Sequence, residues 1–428
     1  METLTEFLSF SDANVRFVTF GSVLLAASSA VVGCFTLLRK RALVGDAIAH
    51  AVLPGVCLAF ILSGTKNPVY LLIGAFITGW LSVYCIDFIT SRTRIKEDAA
   101  IGLVLSVFFG FGILLLTAIQ HGGNASQSGL DKFLFGKAAS LVGEDLITFG
   151  SVAVILLITI LLFYKEFKLL CFDRAYAHTL GFPVKMLELI LTTLTVLAVV
   201  VGIQAVGVVL MAAILITPAA AARFWTDRLG VMILIAAVIG AFSGFSGAFV
   251  SYVAPAMPTG PWIVMIVSVL AIGSFILAPE KGWLGRMYRQ KNNRENILDE
   301  NILKLLYQLG EQNGSFFSGR SLAEMQEKRE IPSGRLMKGL KRLRSQGYLK
   351  RDPGNTWLLT PEGKTRGQRV VRLHRLWELY LTQYLNIAAD HVHEDAENIE
   401  HILTPELEAK ILEQLGYPET DPHESRIP

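Results

Sequence analysis

Long apolar stretches dominate the first two thirds of the chain and constrain its fold more than any other feature. A helix that crosses a bilayer needs roughly 20 predominantly apolar residues, and 52% of the 428 residues are hydrophobic. Such stretches lie near 17–38, 44–63, 68–90, 99–119, 146–164, 186–203, 206–222, 231–253 and 260–278. After Glu280, charged residues are too frequent for a further span. The sequence therefore predicts an all-α polytopic membrane domain of about nine transmembrane helices, followed by a part outside the bilayer.

The second and the seventh of these stretches are interrupted, because both contain Pro or Gly inside the apolar run. Broken helices at membrane depth are tolerated only where they are buried in protein or line a water-filled cavity. We therefore expect these two spans to line a path across the membrane.

The second stretch also carries two polar residues, Asp46 and His50. A charge at the centre of a bilayer costs about 2.5–3.5 kcal/mol on insertion scales, so such residues usually face a cavity or a partner. The two residues are four apart and share one helical face, and a carboxylate with an imidazole can coordinate Mn²⁺ or Zn²⁺ in transit. Alternatively, Asp46 lies among the headgroups near Arg41 and His50 packs against a neighbouring helix. Spacing alone leaves both interpretations open.

Basic residues are unevenly distributed between the loops. They follow the first, third, fifth and seventh stretches, at Arg39, Lys40, Arg41, Arg92, Arg94, Lys96, Lys165, Lys168, Arg174, Lys185, Arg223 and Arg228. The opposite loops hold only Lys66, Lys132 and Lys137, with Arg16 at the start. We expect a multi-pass protein of the bacterial inner (cell) membrane, in which cytoplasmic loops carry the excess of Lys and Arg. Its amino terminus lies outside, and an odd number of spans places everything after Glu280 in the cytoplasm.

The part after the last span has the pattern of a winged helix-turn-helix. An amphipathic helix over 298–313 precedes two short helices that begin at Ser321 and Ser333, and two short apolar runs then flank the turn cluster 352–355. Thr360 and Pro361 open a longer helix. The predicted boundaries are a membrane domain 1–285, a linker 286–297, the winged helix-turn-helix domain 298–360 and a further helical domain 361–428.

The helix from Ser333 is strongly basic, and no acidic residue interrupts its cations. Its start and its cations suit contacts with bases and phosphates of operator DNA, through Ser333, Gly334, Arg335, Lys338, Lys341 and Arg342. A solvated basic face that meets anionic lipid or another subunit is the alternative. The accompanying wing favours DNA.

Histidines and carboxylates cluster in the last predicted domain. His374 and Glu378 are four apart, and Glu397 and His401 share a second face beside Glu400. Mixed imidazole and carboxylate ligands without thiolates suit Mn²⁺ or Fe²⁺ better than structural Zn²⁺. Two such clusters favour a metal site over surface pairs.

A nucleotide-binding motif is not recognisable. The triplet Gly363-Lys364-Thr365 is preceded by Leu358 where a P-loop requires Gly. We therefore expect no bound nucleotide and no enzyme activity from this chain.

Most of residues 1–280 resemble the zinc/manganese/iron ABC permease family (ABC-3 type). The resemblance is carried by RALVGDAIAHAVLPG (41–55) and GVVLMAAILITPAAAARF (207–224). It implies a permease, paired with a second copy or a paralogue, that takes a divalent metal from an extracytoplasmic metal-binding protein, with Asp46 and His50 as translocation ligands. It also implies that a separate subunit hydrolyses ATP. The stretch CFDRAYAHTLGFPV (171–184, the coupling segment) resembles the family's coupling helix, which implies that Asp173, Arg174, Ala177 and Gly181 dock the ATPase subunit. An ordinary amphipathic connector is the alternative.

Residues from about 298 onward resemble the iron- and manganese-dependent repressors of the diphtheria-toxin-repressor type. LHRLWELYL (373–381), VHEDAENIEHIL (392–403) and the tail LGYPETDPHESRIP carry this resemblance. It implies that 361–428 is a helical metal-sensing and dimerisation domain. One metal site would come from His374, Glu378 and His393, and a neighbouring site from Glu397, Glu400 and His401. Glu397 stands where iron-type members have Cys, which favours manganese.

The first helix of this part departs from the repressor pattern. Where the family supplies further ligands, this chain has Asn301 and Lys304. Either Asp299 or Glu300 substitutes for them, or one metal position is weak or lost.

The leading hypothesis is therefore a permease subunit of an ABC importer for manganese, zinc or iron that carries its own metal-responsive repressor domain. A second hypothesis keeps the domain as a cis-acting, metal-sensing brake on transport that does not bind DNA. A third is a permease for a metal chelate or another small solute.

Overall fold

A computed structural model describes residues 2–65, 67–121, 136, 141–254, 257–385, 405–422 and 425–428. The chain separates into two compact units, Met1–Arg286 and Met287–Pro428.

The first unit is helical. Its helices are α1 (Glu2–Leu8), α2 (Ala13–Leu38), α3 (Val44–Ala51), α4 (Leu53–Ser63), α5 (Pro68–Arg92), α6 (Glu97–His121), α7 (Gly143–Leu162), α8 (Tyr164–Phe172), α9 (Arg174–Thr179), α10 (Val184–Val206), α11 (Val208–Trp225), α12 (Leu229–Val253) and α13 (Thr259–Leu277). Among the described residues, eight segments are long and apolar enough to cross a membrane: α2, α3 with α4, α5, α6, α7, α10, α12 and α13. The predicted polytopic helical membrane domain is confirmed.

The predicted count of nine spans is not confirmed. The seventh apolar stretch forms α11, whose described apolar part, Leu210–Trp225, is shorter than the other eight segments. Only Gly207, with φ +90°, separates α10 from α11. Glycine reaches this backbone conformation without steric cost, which allows the chain to turn within one residue.

The second stretch is interrupted as its sequence predicts. Val52 separates α3 from α4, and Pro54 lies in the first turn of α4. Because Pro has no N–H to donate and its ring crowds the preceding turn, the break falls just before it.

Three spans form the centre of the first unit. The windows in α2, in α3 with α4, and in α10 are each 72% buried, whereas those in the other five spans are 22–39% buried. Glycines allow these helices to touch through their backbones: a Cβ at Gly33 would lie 1.7 Å from the carbonyl oxygen of Leu215, and one at Gly55 would lie 2.1 Å from that of Gly74. Small residues at such contacts are typical of helices packed inside a membrane.

The second unit combines helices with one hairpin. Its elements are α14 (Trp283–Gln312, which begins just before the unit), α15 (Leu322–Lys328), α16 (Ser333–Ser345), β1 (Leu349–Arg351), β2 (Trp357–Leu359), α17 (Pro361–Leu385) and α18 (Pro405–Gln414). The two strands are antiparallel, with Leu349 opposite Leu359. The segment predicted as a linker, 286–297, is helical within α14.

Local capping follows the sequence signals. The Ser321 hydroxyl accepts a hydrogen bond from the Glu324 amide at 3.2 Å, and the Thr360 hydroxyl accepts one from the Gly363 amide at 3.0 Å. Gly347 has φ +83° just after α16. These signals confirm where the sequence starts α15 and α17 and where it ends α16.

The second unit has its own hydrophobic core. Leucines of α14 and α16 pack against Met325 and against Trp357 of the hairpin, which is 1% exposed. This core lies entirely within residues 298–359, so the helices and hairpin of this unit bury their apolar faces against each other.

We expect Gly33→Ala to destabilise the membrane unit, because the added Cβ meets the backbone of α11 rather than a flexible side chain. Overpacking of this kind costs about 1–3 kcal/mol. The melting temperature of the detergent-purified chain measures the effect. Gly110→Ala is the matched control, since a Cβ at Gly110 has nothing within 4 Å. Equal melting temperatures for the two variants would contradict the close contact of α2 and α11.

Candidate functional site

Asp46 and His50 lie on one face of α3, as their spacing predicts. His50 Nε2 is 3.6 Å from Asp46 Oδ1, which is an ion-pair distance and too long for a hydrogen bond. The His50 side chain is 22% exposed and that of Asp46 is 43% exposed. The two groups are therefore close enough to share one cation, and the carboxylate remains accessible from outside the unit.

The neighbours of α3 show how deep this pair lies. Ile48, midway between Asp46 and His50, faces Gly79 near the middle of α5, where a Cβ would meet Ile48 Cγ2 at 3.3 Å. The same Cβ would meet Val196, near the middle of α10, at 3.2 Å. The ring of Phe109, near the middle of α6, meets the His50 ring edge-on at a centroid distance of 5.0 Å. The pair therefore lies level with the centres of three spans and not at their ends.

The chemistry of the pair fits a divalent cation. His50 Nδ1 is buried and has no hydrogen-bond partner among the described residues. A buried polar nitrogen without a partner is costly, and an imidazole beside a carboxylate is a common donor set for Mn²⁺ and Zn²⁺. Within the described residues, no group of three or more His, Cys, Asp or Glu side chains is placed to hold a metal. Two donors do not complete the coordination of either metal, so further ligands are required.

The coupling segment folds as a short capped helix. The Asp173 carboxylate accepts a hydrogen bond from the Tyr176 amide at 2.8 Å at the start of α9, and Gly181 has φ +83° after its end. Ala177 is fully buried beneath the segment, whereas Tyr176 and Leu180 are each 53% exposed. An exposed apolar surface on a fixed helix suits docking to another subunit.

The predicted DNA-contacting residues separate into two sets on α16. Five of them are exposed: Ser333, Gly334, Arg335, Lys338 and Lys341. Arg342 instead pairs with Asp299 through two contacts of 2.7 Å and with Glu295 at 3.2 Å. The hydrogen bonds to Asp299 raise the pKa of Arg342. The Arg342 guanidinium thus joins α16 to α14.

Only part of the predicted metal sensor can be placed. On α17, His374 Nε2 is 3.0 Å from Glu378 Oε1, and both side chains are 3% exposed. His393, Glu397, Glu400 and His401 lie outside the described residues.

On α14, ion pairs occupy the two carboxylates that were candidates to replace the missing metal ligands. Asp299 pairs with Arg342, and Glu300 pairs with Arg366 at 2.5 Å. Asn301 accepts a hydrogen bond from Arg329 at 3.3 Å, and Lys304 is 1% exposed. Both carboxylates are thus bound to arginines.

Sequence reasoning missed two sets of residues around α3. Phe109 sits against His50, and ion pairs hold Arg39 and Arg41 just before α3. Acidic residues at the ends of apolar stretches, Asp87 and Glu97, were the available signal. Their partners are distant in sequence, and no periodicity predicts that pairing.

Two family descriptions match the sequence. Residues 11–278 match the ABC 3 transport family, and residues 360–428 match the metal binding and dimerisation domain of the iron dependent repressor. Both resemblances inferred from the sequence are thus confirmed.

Two curated relatives match over most of their own length. The chain is 42% identical over 381 residues to the manganese transport system membrane protein MntC of Bacillus subtilis, which covers 89% of this chain and 87% of that protein. It is 43% identical over 291 residues to the zinc transport system membrane protein TroC of Treponema pallidum, which covers 68% of this chain and 97% of that protein.

A solved structure supports the same fold. PsaBC from Streptococcus pneumoniae, in complex with a Fab, matches with a TM-score of 0.58 and 33% sequence identity, over 66% of this chain and 98% of that chain. The family match covers more than half of the chain. The protein is therefore a membrane permease subunit of the ABC 3 transport family with a C-terminal domain of the iron-dependent-repressor type, and ATP hydrolysis belongs to a separate subunit.

Proposed function

We propose that this permease subunit imports a divalent transition metal, manganese, zinc or iron, and that Asp46 and His50 bind the ion during transit. The observation that carries the proposal is the depth of the pair, level with the middles of α5, α6 and α10. A carboxylate at that depth is costly unless it serves a cavity or an ion. The curated relatives named for manganese and zinc transport agree with this cargo.

A second permease copy or a paralogue completes the coordination of the ion. One chain offers two donors at this position, whereas Zn²⁺ takes four ligands and Mn²⁺ commonly six. The Asp46 carboxylate is 43% exposed in the single chain and is thus open to a facing pair. Two Asp46–His50 pairs would supply four protein ligands.

The proposed orientation places the amino terminus outside the bacterial cell membrane and the second unit in the cytoplasm. It rests on the distribution of Lys and Arg and requires α11 to cross as the ninth span. The 18 residues of α11 reach about 27 Å at 1.5 Å per residue, close to the thickness of the hydrocarbon core. The coupling segment, with Asp173, Arg174, Ala177 and Gly181, then faces the ATPase subunit. An extracytoplasmic metal-binding protein delivers the ion from the other side.

We further propose that the second unit is a metal-responsive regulator that binds operator DNA. Exposed Ser333, Gly334 and Arg335 at the start of α16, with Lys338 and Lys341 behind them, suit entry into a major groove. Arg342 is left out of this surface because its charge is bound to Asp299 and Glu295. Candidate sensor ligands are His374, Glu378, His393, Glu397, Glu400 and His401, with Mn²⁺ or Fe²⁺ as the sensed ion.

Asp46→Ala and His50→Ala should each lower ATP-driven uptake of radioactive Mn²⁺ by at least about tenfold, because each removes one donor of the ion. Uptake is measured in cells that lack their other manganese importers and express the complete transporter. His121→Ala, which alters an exposed histidine at the end of α6, is the control. Unchanged uptake in both Asp46 and His50 variants would remove the proposed ligands and favour transport of a chelate.

Lys338→Ala should weaken binding of the second unit, residues 287–428, to promoter DNA of its own transporter genes. Loss of one phosphate contact makes the negative slope of log affinity against log salt shallower by about 0.9. Titrations by fluorescence anisotropy, with and without Mn²⁺, measure both quantities, and Lys410→Ala on α18 is the control. If the wild-type unit shows no Mn²⁺-stimulated binding to this DNA, the unit acts instead as a brake on transport in cis.

A further inference from the structure

The link between α2 and α3 places two arginines on opposite sides of one strained residue. Residues 39–43 join the two helices, and Lys40 in the link has φ +61°. A non-glycine residue in the left-handed region is uncommon and costs free energy, so it persists only where the surroundings fix it. At this link, backbone hydrogen bonds provide that fixation, because the Lys40 amide donates to the Leu37 carbonyl at 3.0 Å and the Arg41 amide donates to the Thr36 carbonyl at 3.1 Å.

Arg41 ties the start of α3 to two spans. Its Nη2 donates to Asp87 Oδ1 at 2.8 Å near the end of α5. Its Nε lies 3.0 Å from Glu97 Oε1 in the first turn of α6, although this second contact is an ion pair without an aligned hydrogen bond. Helix α6 also carries Phe109, whose ring meets His50. Helix α6 is thus joined to the region of α3 at two points, through the ion pair of Arg41 with Glu97 and through the contact of Phe109 with the His50 imidazole.

Arg39 connects the same link to the coupling segment. Its Nη2 is 3.8 Å from Glu188 Oε1 on α10, and Glu188 Oε2 accepts a hydrogen bond from Arg174 Nη2 at 3.0 Å. Arg174 is the first residue of α9. Glu188 therefore lies between a cation of the coupling segment and a cation of the link.

Three of the charged side chains in these ion pairs are sheltered from water. The side chains of Arg39, Arg41 and Glu188 are 13%, 22% and 22% exposed. Burial and the adjacent charge of Arg41 lower the pKa of Arg39, and Glu188 opposes that effect. Asp87, Glu97 and Arg174, in contrast, are 45%, 37% and 66% exposed. Because the sheltered charges of Arg39 and Glu188 cannot exchange their partners for water cheaply, a displacement of Glu188 draws Arg39 with it. We call this set, Arg39, Arg41, Asp87, Glu97, Arg174 and Glu188, the arginine clamp.

We propose that the arginine clamp transmits movement of the coupling segment to α3 and so positions Asp46 and His50 for binding and release of the metal. The clamp residues are positioning residues, since none of them touches the proposed ion. This inference rests on the proposed function, because it assigns a task to the helix that holds the transport ligands.

The test uses the complete transporter, with its ATPase and binding-protein partners, reconstituted in vesicles. Mn²⁺ uptake and ATP hydrolysis are measured together. Glu188→Gln and Glu97→Gln should each raise the ATP hydrolysed per Mn²⁺ transported by about tenfold, the upper part of the range for residues that carry coupling between sites. Asp98→Asn is the matched control, because Asp98 is exposed beside Glu97 and makes no ion pair with the described residues. An unchanged ratio in both glutamine variants would overturn the proposal.

A double variant separates transmission from simple destabilisation. If Glu188 and Glu97 act in series, Glu188→Gln with Glu97→Gln is no worse than the more affected single variant, whereas independent structural damage multiplies the two effects. Multiplied effects would therefore contradict the clamp. Arg41→Lys is the second variant should a glutamine variant fail to fold. It keeps the charge but replaces the two nitrogens that contact Asp87 and Glu97 by a single ammonium, so a ratio equal to wild type would also contradict the clamp.

Failure of this inference is distinguishable from failure of the proposed function. A wild-type transporter that takes up no Mn²⁺, Zn²⁺ or Fe²⁺, or that is unaffected by Asp46→Ala, refutes the function itself. Wild-type uptake that depends on Asp46, together with normal coupling in Glu188→Gln and Glu97→Gln, refutes the clamp alone.

Discussion

The permease unit depends on enclosing one polar helix within an apolar bundle. Asp46 and His50 lie level with the centres of neighbouring spans, at a depth where a carboxylate exposed to lipid is costly. The surrounding structure meets that constraint in part by packing α3 against α5, α6, α10 and α11, and it leaves the Asp46 carboxylate 43% exposed for a further partner. Of the spans, α2, α3 with α4, and α10 are the most deeply buried. The interior of the unit is thus organised around the pair.

Close packing around α3 requires residues without bulk. Gly33 and Gly55 let neighbouring helices meet through their backbones. A Cβ at Gly45 would lie 2.8 Å from Cδ2 of the Leu215 side chain. The break before Pro54 and the single-residue turn at Gly207 change the direction of the chain beside the same helix. Glycine and proline here shape the packing around α3, while Arg39 and Arg41 form ion pairs in the link before it.

Much of this architecture follows from local patterns in the sequence. Apolar runs located the spans, and the four-residue spacing of Asp46 and His50 placed them on one face. Caps at Ser321 and Thr360 located the starts of α15 and α17. Contacts between distant residues were not predictable: the run of cations on α16 looked uniform, but Asp299, 43 residues before Arg342, binds that arginine internally. The arginine clamp was missed for the same reason, and the shortness of α11 depends on where Gly207 turns the chain.

The claim that Asp46 and His50 bind the transported ion is tested most directly by X-ray absorption spectroscopy of the purified permease loaded with Zn²⁺, with the second unit removed after residue 286. The account predicts nitrogen and oxygen ligands near 2.0–2.2 Å and a multiple-scattering signal from imidazole. This signal disappears in His50→Ala and persists in His121→Ala. An imidazole signal of equal strength in His50→Ala, or no bound metal in the wild-type permease, would contradict it.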